Sequence, residues 1–260
     1  MILAVDIGNT NVTFGLYIDG RLEVVSRTAT DRARTAEQYA VEMSAIISLH
    51  KANATDCTGA IIGSVVPELT AVISDAIYLL TRTRAKTIGP GVKTGLNIKI
   101  DNPAQLGADL VAGAVGALGK YETPLLVLDL GTATKISVVD SNGVYRGCTI
   151  SAGVRISLDA LSKMTSQLPA ISMADEISPI GTNTVTSMQS GTVLGTAAML
   201  DGMCKRLEKA LGEKTKTVVA TGGIAPDIIK NCETDIISDP TLVLDGLKMI
   251  YELKIHFSYL

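Results

Sequence analysis

Near its start the chain reads Ile2-Leu3-Ala4-Val5-Asp6-Ile7-Gly8-Asn9-Thr10-Asn11, an apolar run that ends in a carboxylate and a glycine. A similar stretch, Leu125-Leu126-Val127-Leu128-Asp129-Leu130-Gly131-Thr132-Ala133-Thr134, lies in the middle of the chain. Asp6 and Asp129 are 123 positions apart, and Asp19-Gly20 matches Asn142-Gly143 at the same spacing. Chance explains a shared Asp-x-Gly, but it poorly explains a hairpin turn in the same register. The sequence therefore indicates an internal duplication.

Each copy predicts a buried strand, a tight polar turn, a second strand, a hairpin turn and a third strand. A carboxylate at the end of a buried strand costs free energy unless a cation or hydrogen-bond donor meets it. The glycine after it lets backbone N–H groups approach a ligand closely. Taken alone, either copy favours an ordinary hairpin whose aspartate caps the turn. The pair favours two turns that face each other across a cleft and together hold phosphate and a metal ion.

Composition narrows the class of protein. The chain has 260 residues, 47% of them hydrophobic, which leaves room for two modest domains. It contains no long uncharged apolar run and no basic leader, so neither a membrane span nor a signal peptide is expected. A net charge of −3 without a Lys/Arg tract argues against a nucleic-acid surface. Four cysteines without Cys-x-x-Cys spacing and two distant histidines argue against a zinc site, and they predict reduced thiols in the cytoplasm.

Strand and helix patterns alternate along the rest of the chain, which predicts an α/β fold. Helical spacing covers residues 35–50, 69–80, 104–115, 154–164, 187–211 and 243–254; further strands are predicted at 60–66, 86–88 and 217–220, and a loop at 168–178. The second copy begins after Tyr121-Glu122-Thr123-Pro124. We therefore predict domains at 1–120 and 121–242, with the C-terminal segment 243–260 packing back on the first.

Asp109 is the one charge in a helical stretch of small and apolar residues, 104–115. Such an acid either pairs with a cation elsewhere, caps a helix, or acts as a functional carboxylate. The stretch by itself favours a structural role.

Two later clusters combine small donors and glycines. Ile180-Gly181-Thr182-Asn183-Thr184 is more typical of a helix cap than of a ligand site. Thr221-Gly222-Gly223 follows a predicted strand, where paired glycines allow a flat ligand to lie on the backbone or simply form a strand-to-helix turn.

Two Asp-x-Gly turns and a late Thr-Gly-Gly have the spacing of the actin-like phosphotransferase fold, and within it the chain resembles the type III pantothenate kinases. The resemblance runs nearly end to end. Its motifs are Asp6 to Asn11, Asp101-Asn102-Pro103, Gly107-Ala108-Asp109, Asp129 to Thr134, Ile180 to Thr184, Met188-Gln189-Ser190-Gly191 and Thr221-Gly222-Gly223.

The resemblance implies a duplicated actin-like (ribonuclease H-like) fold, with two domains of mixed five-stranded sheets flanked by helices and a cleft between them. It implies transfer of the ATP γ-phosphoryl group to the hydroxyl of pantothenate, the opening step of coenzyme A synthesis. It also implies a cytoplasmic homodimer.

The resemblance assigns roles to particular positions. The phosphate cradle would comprise Asp6, Gly8, Asn9, Thr10, Asn11 and Thr13, with Asp6 holding Mg²⁺ through water. Gly131, Thr132, Gly222 and Gly223 would contact ATP, and Asp129 would bind a monovalent cation, K⁺ or NH₄⁺. Asp109 would be the general base. Gly107, Ala108, Leu110, Ile100 and Thr184 would line the pantothenate site, with Thr184 reaching it across the dimer interface.

Several positions depart from the family pattern. Leu110 stands where the family has arginine, Ile100 where it has tyrosine, and Ala152 where it has proline. Leucine at 110 removes a fixed positive charge beside Asp109. These changes keep open a second function, a nucleotide- or pantothenate-binding regulator that has lost catalysis. A sugar kinase of the same fold is a third possibility, but the cysteine- and histidine-rich zinc segment common in one such group is absent.

Lys135 replaces a threonine of the family pattern beside the second turn. One hypothesis is that its ammonium lies near Asp129 and replaces the monovalent cation. The equal alternative is that strand alternation points Lys135 to solvent.

Overall fold

The structure is a computed structural model that describes residues 1–173 and 176–257. Two positions of the predicted loop at 168–178, and the last three of the predicted C-terminal segment, lie outside the described residues. The chain forms two compact units. The first contains residues 1–96, 101–119 and the chain from 241 onward, and the second contains 97–100 and 120–240.

Strands and helices alternate as the sequence pattern predicts. The strands are β1 (Ile2–Ile7), β2 (Asn11–Ile18), β3 (Arg21–Ala29), β4 (Gly59–Ser64), β5 (Lys86–Thr87), β6 (Asn97–Ile98), β7 (Leu125–Leu130), β8 (Ala133–Val139), β9 (Val144–Ala152), β10 (Thr217–Thr221) and β11 (Ile237–Ser238). The helices are α1 (Ala36–Leu49), α2 (Pro67–Thr81), α3 (Ala108–Lys120), α4 (Val154–Met164), α5 (Thr184–Gln189), α6 (Gly195–Leu211), α7 (Ala225–Ile229) and α8 (Leu242–Phe257). One π-helical turn, Ser190–Leu194, joins α5 to α6.

The first unit is built on a mixed sheet in the order β3-β2-β1-β4-β5. Successive side chains of β1 point to opposite faces. Leu3, Val5 and Ile7 pack with residues of α1 and α2 in one apolar core. On the other face, a Cβ at Gly59 would collide with Tyr251 of α8. Helices therefore cover both faces of this sheet.

Glycines also bring α3 and α8 into backbone contact. A Cβ at Gly246 would collide with the carbonyl of Ala112, and a Cβ at Gly116 would collide with that of Leu242. The small residues of the α3 stretch thus allow close helix packing.

The second unit contains a sheet in the order β11-β10-β7-β8-β9-β6, flanked by α4 to α7. It therefore has six strands where five were predicted. The additional strand is β6, whose two residues pair in parallel with Val144 and Tyr145 of β9. A pair this short produces no periodic pattern in the sequence. The same pairing groups residues 97–100 with the second unit.

The two copies of the repeat share their strands but not their pairing register. β7 and β9 have the bounds of β1 and β3 shifted by 123 positions. However, Asp6 pairs with Thr13, whereas Asp129 pairs with Lys135, one position earlier in the second copy. The turn after the aspartate is one residue shorter there, and the following hairpin turn is one residue longer. The two changes compensate, so the strands keep their places.

The hairpin turns show the same difference in their backbone. Asp19 and Gly20 have φ of 48° and 81°, as a two-residue type I′ turn requires. In the second copy Gly143 has φ of 72°, and its N–H donates to the Asp140 carbonyl at 2.9 Å in a longer turn. The Asp-Gly and Asn-Gly signals therefore predict both hairpins but not their lengths.

Across the described residues, no helix is both long enough and apolar enough to span a bilayer.

Asp201 is a buried carboxylate that holds a loop of the second unit in place. Its two oxygens accept the backbone N–H groups of Glu233 and Thr234, both at 2.9 Å. Burial by itself raises the pKa of Asp201, but the hydrogen bonds from Glu233 and Thr234, with the charge of Lys205, outweigh it and lower the pKa. The ionised form therefore stabilises the folded state.

Replacing Asp201 with asparagine is expected to lower the free energy of unfolding at neutral pH by about 1–3 kcal/mol, because the amide offers one acceptor for two N–H groups. A carboxylate whose pKa is lower in the folded state stabilises that state at pH values above the unfolded-state pKa. This stabilisation is lost as the pH falls through the folded-state pKa. The difference between variant and parent should therefore shrink below about pH 4. Urea unfolding at several pH values measures it, with Asp159→Asn on α4 as control; a pH-independent difference would contradict the account.

Candidate active site

The first Asp-x-Gly turn is braced by the end of β3. Within the turn, the Gly8 N–H donates to the Asn11 carbonyl at 2.9 Å. Thr30 adds two bonds: its N–H donates to the Thr10 carbonyl at 3.0 Å, and its hydroxyl donates to the Gly8 carbonyl at 2.6 Å. Asn9 and Thr10 remain exposed at the tip of the turn. The turn thus has a fixed shape before any ligand binds.

A positively charged side chain, that of Arg32, lies next to this turn. Arg32 lies 3.5 Å from the Asn9 side-chain oxygen through Nη2, and its Nε is 3.0 Å from the Glu68 carboxylate. Neither Thr30 nor Arg32 was among the predicted site residues. No pattern in the sequence links these residues to the first turn.

The helix that carries Asp109 begins beside Asp6. Asp6 pairs with Gly63 on the neighbouring strand β4, so the two positions share one face of the sheet. A Cβ at Gly63 would lie 3.8 Å from the Cβ of Ala108, the first residue of α3. The sequence-predicted residues Asp6, Ala108 and Asp109 are therefore brought to one region of the first unit.

Asp109 lies in the first turn of α3, where the helix dipole favours a negative charge. Its Oδ1 accepts the Leu110 N–H at 2.8 Å, which is a capping contact. This contact fits the capping interpretation of the acid, and it leaves a catalytic role open because a carboxylate has more than one acceptor site. Leu110 is half-buried beside it and brings no charge.

The second Asp-x-Gly turn contains an ion pair. Lys135 Nζ lies 2.7 Å from Asp129 Oδ2, and the two side chains are 18% and 20% exposed. The cross-strand pairing of Asp129 with Lys135 places both side chains on one face of the sheet. The alternative that Lys135 points to solvent is wrong, because the shifted register turns it toward the aspartate.

Two glycines, Gly222 and Gly153, pack against this second turn. Gly222 has φ of 101°, and a Cβ there would collide with the backbone of Leu130, just before Gly131. On the other side, a Cβ at Gly153 would collide with the Gly131 and Thr132 carbonyls. Neighbouring backbones thus approach the Gly131-Thr132 turn closely. Gly153 was not among the predicted site residues; it follows Ala152, the position where the family pattern has proline.

Replacing Gly222 with alanine is expected to destabilise the second unit by about 1–3 kcal/mol, since the Cβ meets backbone and the positive φ is unfavourable for any other residue. Thermal unfolding measures the loss. Gly195→Ala serves as control, because a Cβ at Gly195 meets nothing within 4 Å. Equal stability of the two variants would contradict the packing described for Gly222.

The remaining predicted residues are divided between the units. Gly107 and Leu110 flank Asp109 in the first unit, whereas Ile100 and Thr184 belong to the second. Thr184 is the exposed first residue of α5, and the Asn183 side chain accepts the Thr186 N–H at 3.0 Å. The helix cap predicted for this cluster is confirmed. Within each unit the structure brings its own members together: Asp6 to Thr13 with Asp109, and Asp129 to Thr132 with Gly222.

Solved structures share this architecture at low sequence identity. A protein described as a Baf family transcriptional activator from Campylobacter jejuni superimposes with a TM-score of 0.60 at 17% identity, over 98% of this chain and 99% of that one. The activator of the 2-hydroxyisocaproyl-CoA dehydratase from Clostridium difficile, with bound ADPNP, gives 0.56 at 15% identity, over 100% and 97%. These similarities concern the fold alone, and they confirm the duplicated actin-like α/β class.

Sequence relatives are much closer. The type III pantothenate kinase of Exiguobacterium sibiricum is 42% identical over 252 residues, 97% of this chain and 99% of that protein. The protein of the same name from Listeria monocytogenes is 38% identical over 251 residues, 96% of each. A family model described as type III pantothenate kinase matches residues 2–206. The chain therefore belongs to the type III pantothenate kinase family.

Proposed function

We propose that the protein transfers the γ-phosphoryl group of ATP to pantothenate, giving 4′-phosphopantothenate and ADP, the first step of coenzyme A biosynthesis. The near full-length similarity to curated pantothenate kinases carries this proposal. The meeting of Asp6 and the Asp109 helix in the first unit supports it. Consumption of ATP favours a cytoplasmic location, and neither nucleic acid nor membrane is proposed as a partner.

The first turn is proposed to cradle the phosphates through Gly8, Asn9, Thr10, Asn11 and Thr13. Asp6 would hold Mg²⁺ through water. Among the described side chains, no group of three or more His, Cys, Asp or Glu could enclose a metal by itself. A single carboxylate beside a phosphate-binding turn fits Mg²⁺, which keeps most of its waters and takes other ligands from substrate phosphates. When bound, the ion would neutralise charge on the phosphates.

Asp109 is proposed as the general base. The pantothenate hydroxyl oxygen forms a bond to the γ-phosphorus, the bond from that phosphorus to the β,γ-bridging oxygen breaks, and the hydroxyl proton passes to the Asp109 carboxylate. The capping bond from the Leu110 N–H fixes one oxygen of the acid. Phosphoryl transfer depends on such positioning and on charge neutralisation more than on covalent help.

The second turn is proposed to contact ATP through Gly131, Thr132, Gly222 and Gly223. Thr132 and Gly223 are exposed. The collisions that a Cβ would cause at Gly222 show how closely two backbone segments meet here. Glycines carry no Cβ, so a ligand can approach the exposed backbone of this turn closely.

The pantothenate site is proposed to include Gly107, Ala108, Leu110 and Ile100, with Thr184 supplied across the interface of a homodimer. Large apolar side chains of the second unit are exposed in the single chain: Ile150 at 66%, Met164 at 84%, and Ile180, close in sequence to Thr184, at 79%. Burial of such side chains favours association. Sedimentation equilibrium of the full chain tests this: a monomer at micromolar concentration would contradict the proposal.

Asp129 does not fit a monovalent cation in this chain, because its carboxylate is already paired with the Lys135 ammonium at 2.7 Å. The proposed reaction therefore includes no K⁺ or NH₄⁺ at that carboxylate.

A coupled assay with Mg-ATP and pantothenate tests the proposed activity, with ADP formation and the mass of the phosphorylated product as readouts. Pantothenate-dependent ADP release is expected. The alternative function is a regulator that binds nucleotide or pantothenate without catalysis. It is suggested by Ile100 and Leu110, which depart from the family pattern. Absence of product together with thermal stabilisation by ATP or pantothenate would favour that regulator over the kinase.

A further inference from the structure

We propose that Lys135 is a tethered cation: its ammonium permanently supplies the positive charge that the second Asp-x-Gly turn would otherwise take from a monovalent cation in solution. This inference rests on the proposed function and concerns how its second turn is kept neutral. Lys135 would be a positioning residue, since it acts on the turn through Asp129.

The ion pair itself is the first argument. A carboxylate at the end of a buried strand is unfavourable unless it has a partner. The Lys135 ammonium lies 2.7 Å from Asp129 Oδ2, and about four-fifths of each side chain is buried. Partial burial reduces competition from water, so this pair differs from exposed pairs such as Lys216 with Glu122, whose side chains are 61% and 80% exposed.

The duplicated strands provide the second argument. Thr13, a neutral residue, occupies the cross-strand position opposite Asp6 in the first copy. Lys135 occupies the matching position opposite Asp129. The fold therefore accepts a small uncharged side chain at this position, and Lys135 brings a positive charge that the matching residue of the first copy lacks.

The ion pair also lies beside the turn that is proposed to contact ATP. Asp129 lies on β7 two positions before Gly131, and Thr221 of β10 pairs with Asp129 on its other side. Gly222 then packs on Leu130. An ammonium and a bound K⁺ or NH₄⁺ carry the same unit charge, so either would neutralise Asp129 and fix the carboxylate beside the turn that is proposed to contact ATP.

The experiment measures the rate of pantothenate phosphorylation by the parent protein in two kinds of buffer. In one, choline is the sole monovalent cation; the other is the same buffer with K⁺ or NH₄⁺ added. The parent rate is expected to change less than about twofold. Lys135→Thr is expected to lose activity by about a hundredfold in choline, the scale for removing one electrostatic stabiliser, and to recover at least tenfold with K⁺ or NH₄⁺. Activation of the parent more than fivefold by either ion would overturn the inference.

A readout independent of catalysis accompanies the rates. An ion that binds the folded state raises the thermal midpoint. K⁺ should therefore raise the midpoint of Lys135→Thr above any shift seen in the parent or in the control Lys216→Thr. Equal shifts in all three proteins would overturn the inference. If Lys135→Thr does not fold, the same measurements are made on Lys135→Gln. The change in the parent's rate on adding K⁺ or NH₄⁺ also still tests the inference.

The two proposals fail in different ways. A parent protein that makes no phosphopantothenate in any salt contradicts the proposed function, while the thermal midpoints still test Lys135. A parent that is active only with K⁺ supports the proposed function and contradicts the tethered cation.

Discussion

Asp109→Asn is expected to lower kcat for pantothenate phosphorylation by about 10²–10⁴, the range for loss of a general base. Asparagine keeps a side-chain oxygen that can accept the Leu110 N–H, so the start of α3 should remain capped. It cannot take the hydroxyl proton. Steady-state kinetics should therefore show a collapse in kcat, while calorimetry shows ATP binding within about threefold of the parent.

The control for this variant is Asp75→Asn, an exposed acid on α2 of the same unit. It should leave kcat and the thermal midpoint unchanged. An Asp109→Asn protein with parental kcat would show that the acid only caps its helix.

Asp6→Asn is expected to lower kcat/KM for Mg-ATP by about 10²–10³ and to raise the Mg²⁺ concentration needed for half-maximal rate. The amide preserves size but removes the charge that would hold the ion's water shell. Asp6 is half-buried at the end of β1, so water replaces that charge poorly. A magnesium titration at fixed ATP measures the shift.

Asp19→Asn is the matched control, because it changes an exposed acid in the hairpin turn that follows the first Asp-x-Gly turn, and asparagine tolerates the positive φ found there. Its Mg²⁺ dependence should match the parent. Should Asp6→Asn also match the parent, Mg²⁺ would depend on the phosphates alone and the role proposed for Asp6 would be wrong.

The strands that carry both turns were predictable because each combines a continuous apolar run with a turn signal. α4 was predicted at the bounds the structure gives, 154–164. β6 was missed because two residues have no periodicity. The shifted register was missed because two compensating length changes leave the 123-residue spacing intact.

The candidate site was predictable only in part. Asp6 and Asp129 stand out as acids at the ends of apolar strands, but Asp109 did not, since the stretch around it by itself favoured a structural role. Its place in the first turn of α3 became visible only in the structure. Strand alternation gave no basis for choosing a direction for Lys135, because its orientation depends on the register. Arg32 reaches Asn9 from a separate loop. Contacts of this kind come from tertiary packing, which no local pattern encodes.

The position of α8 has a consequence for how the protein forms during translation. This helix comes from the end of the described chain, yet it packs on the sheet of the first unit and meets α3 at Gly246. A ribosome releases all of residues 120–240 before α8 emerges, so the second unit can complete its packing first. Until α8 emerges, part of one sheet face of the first unit stays exposed to solvent, and truncation near 240 should yield chains that chaperones retain.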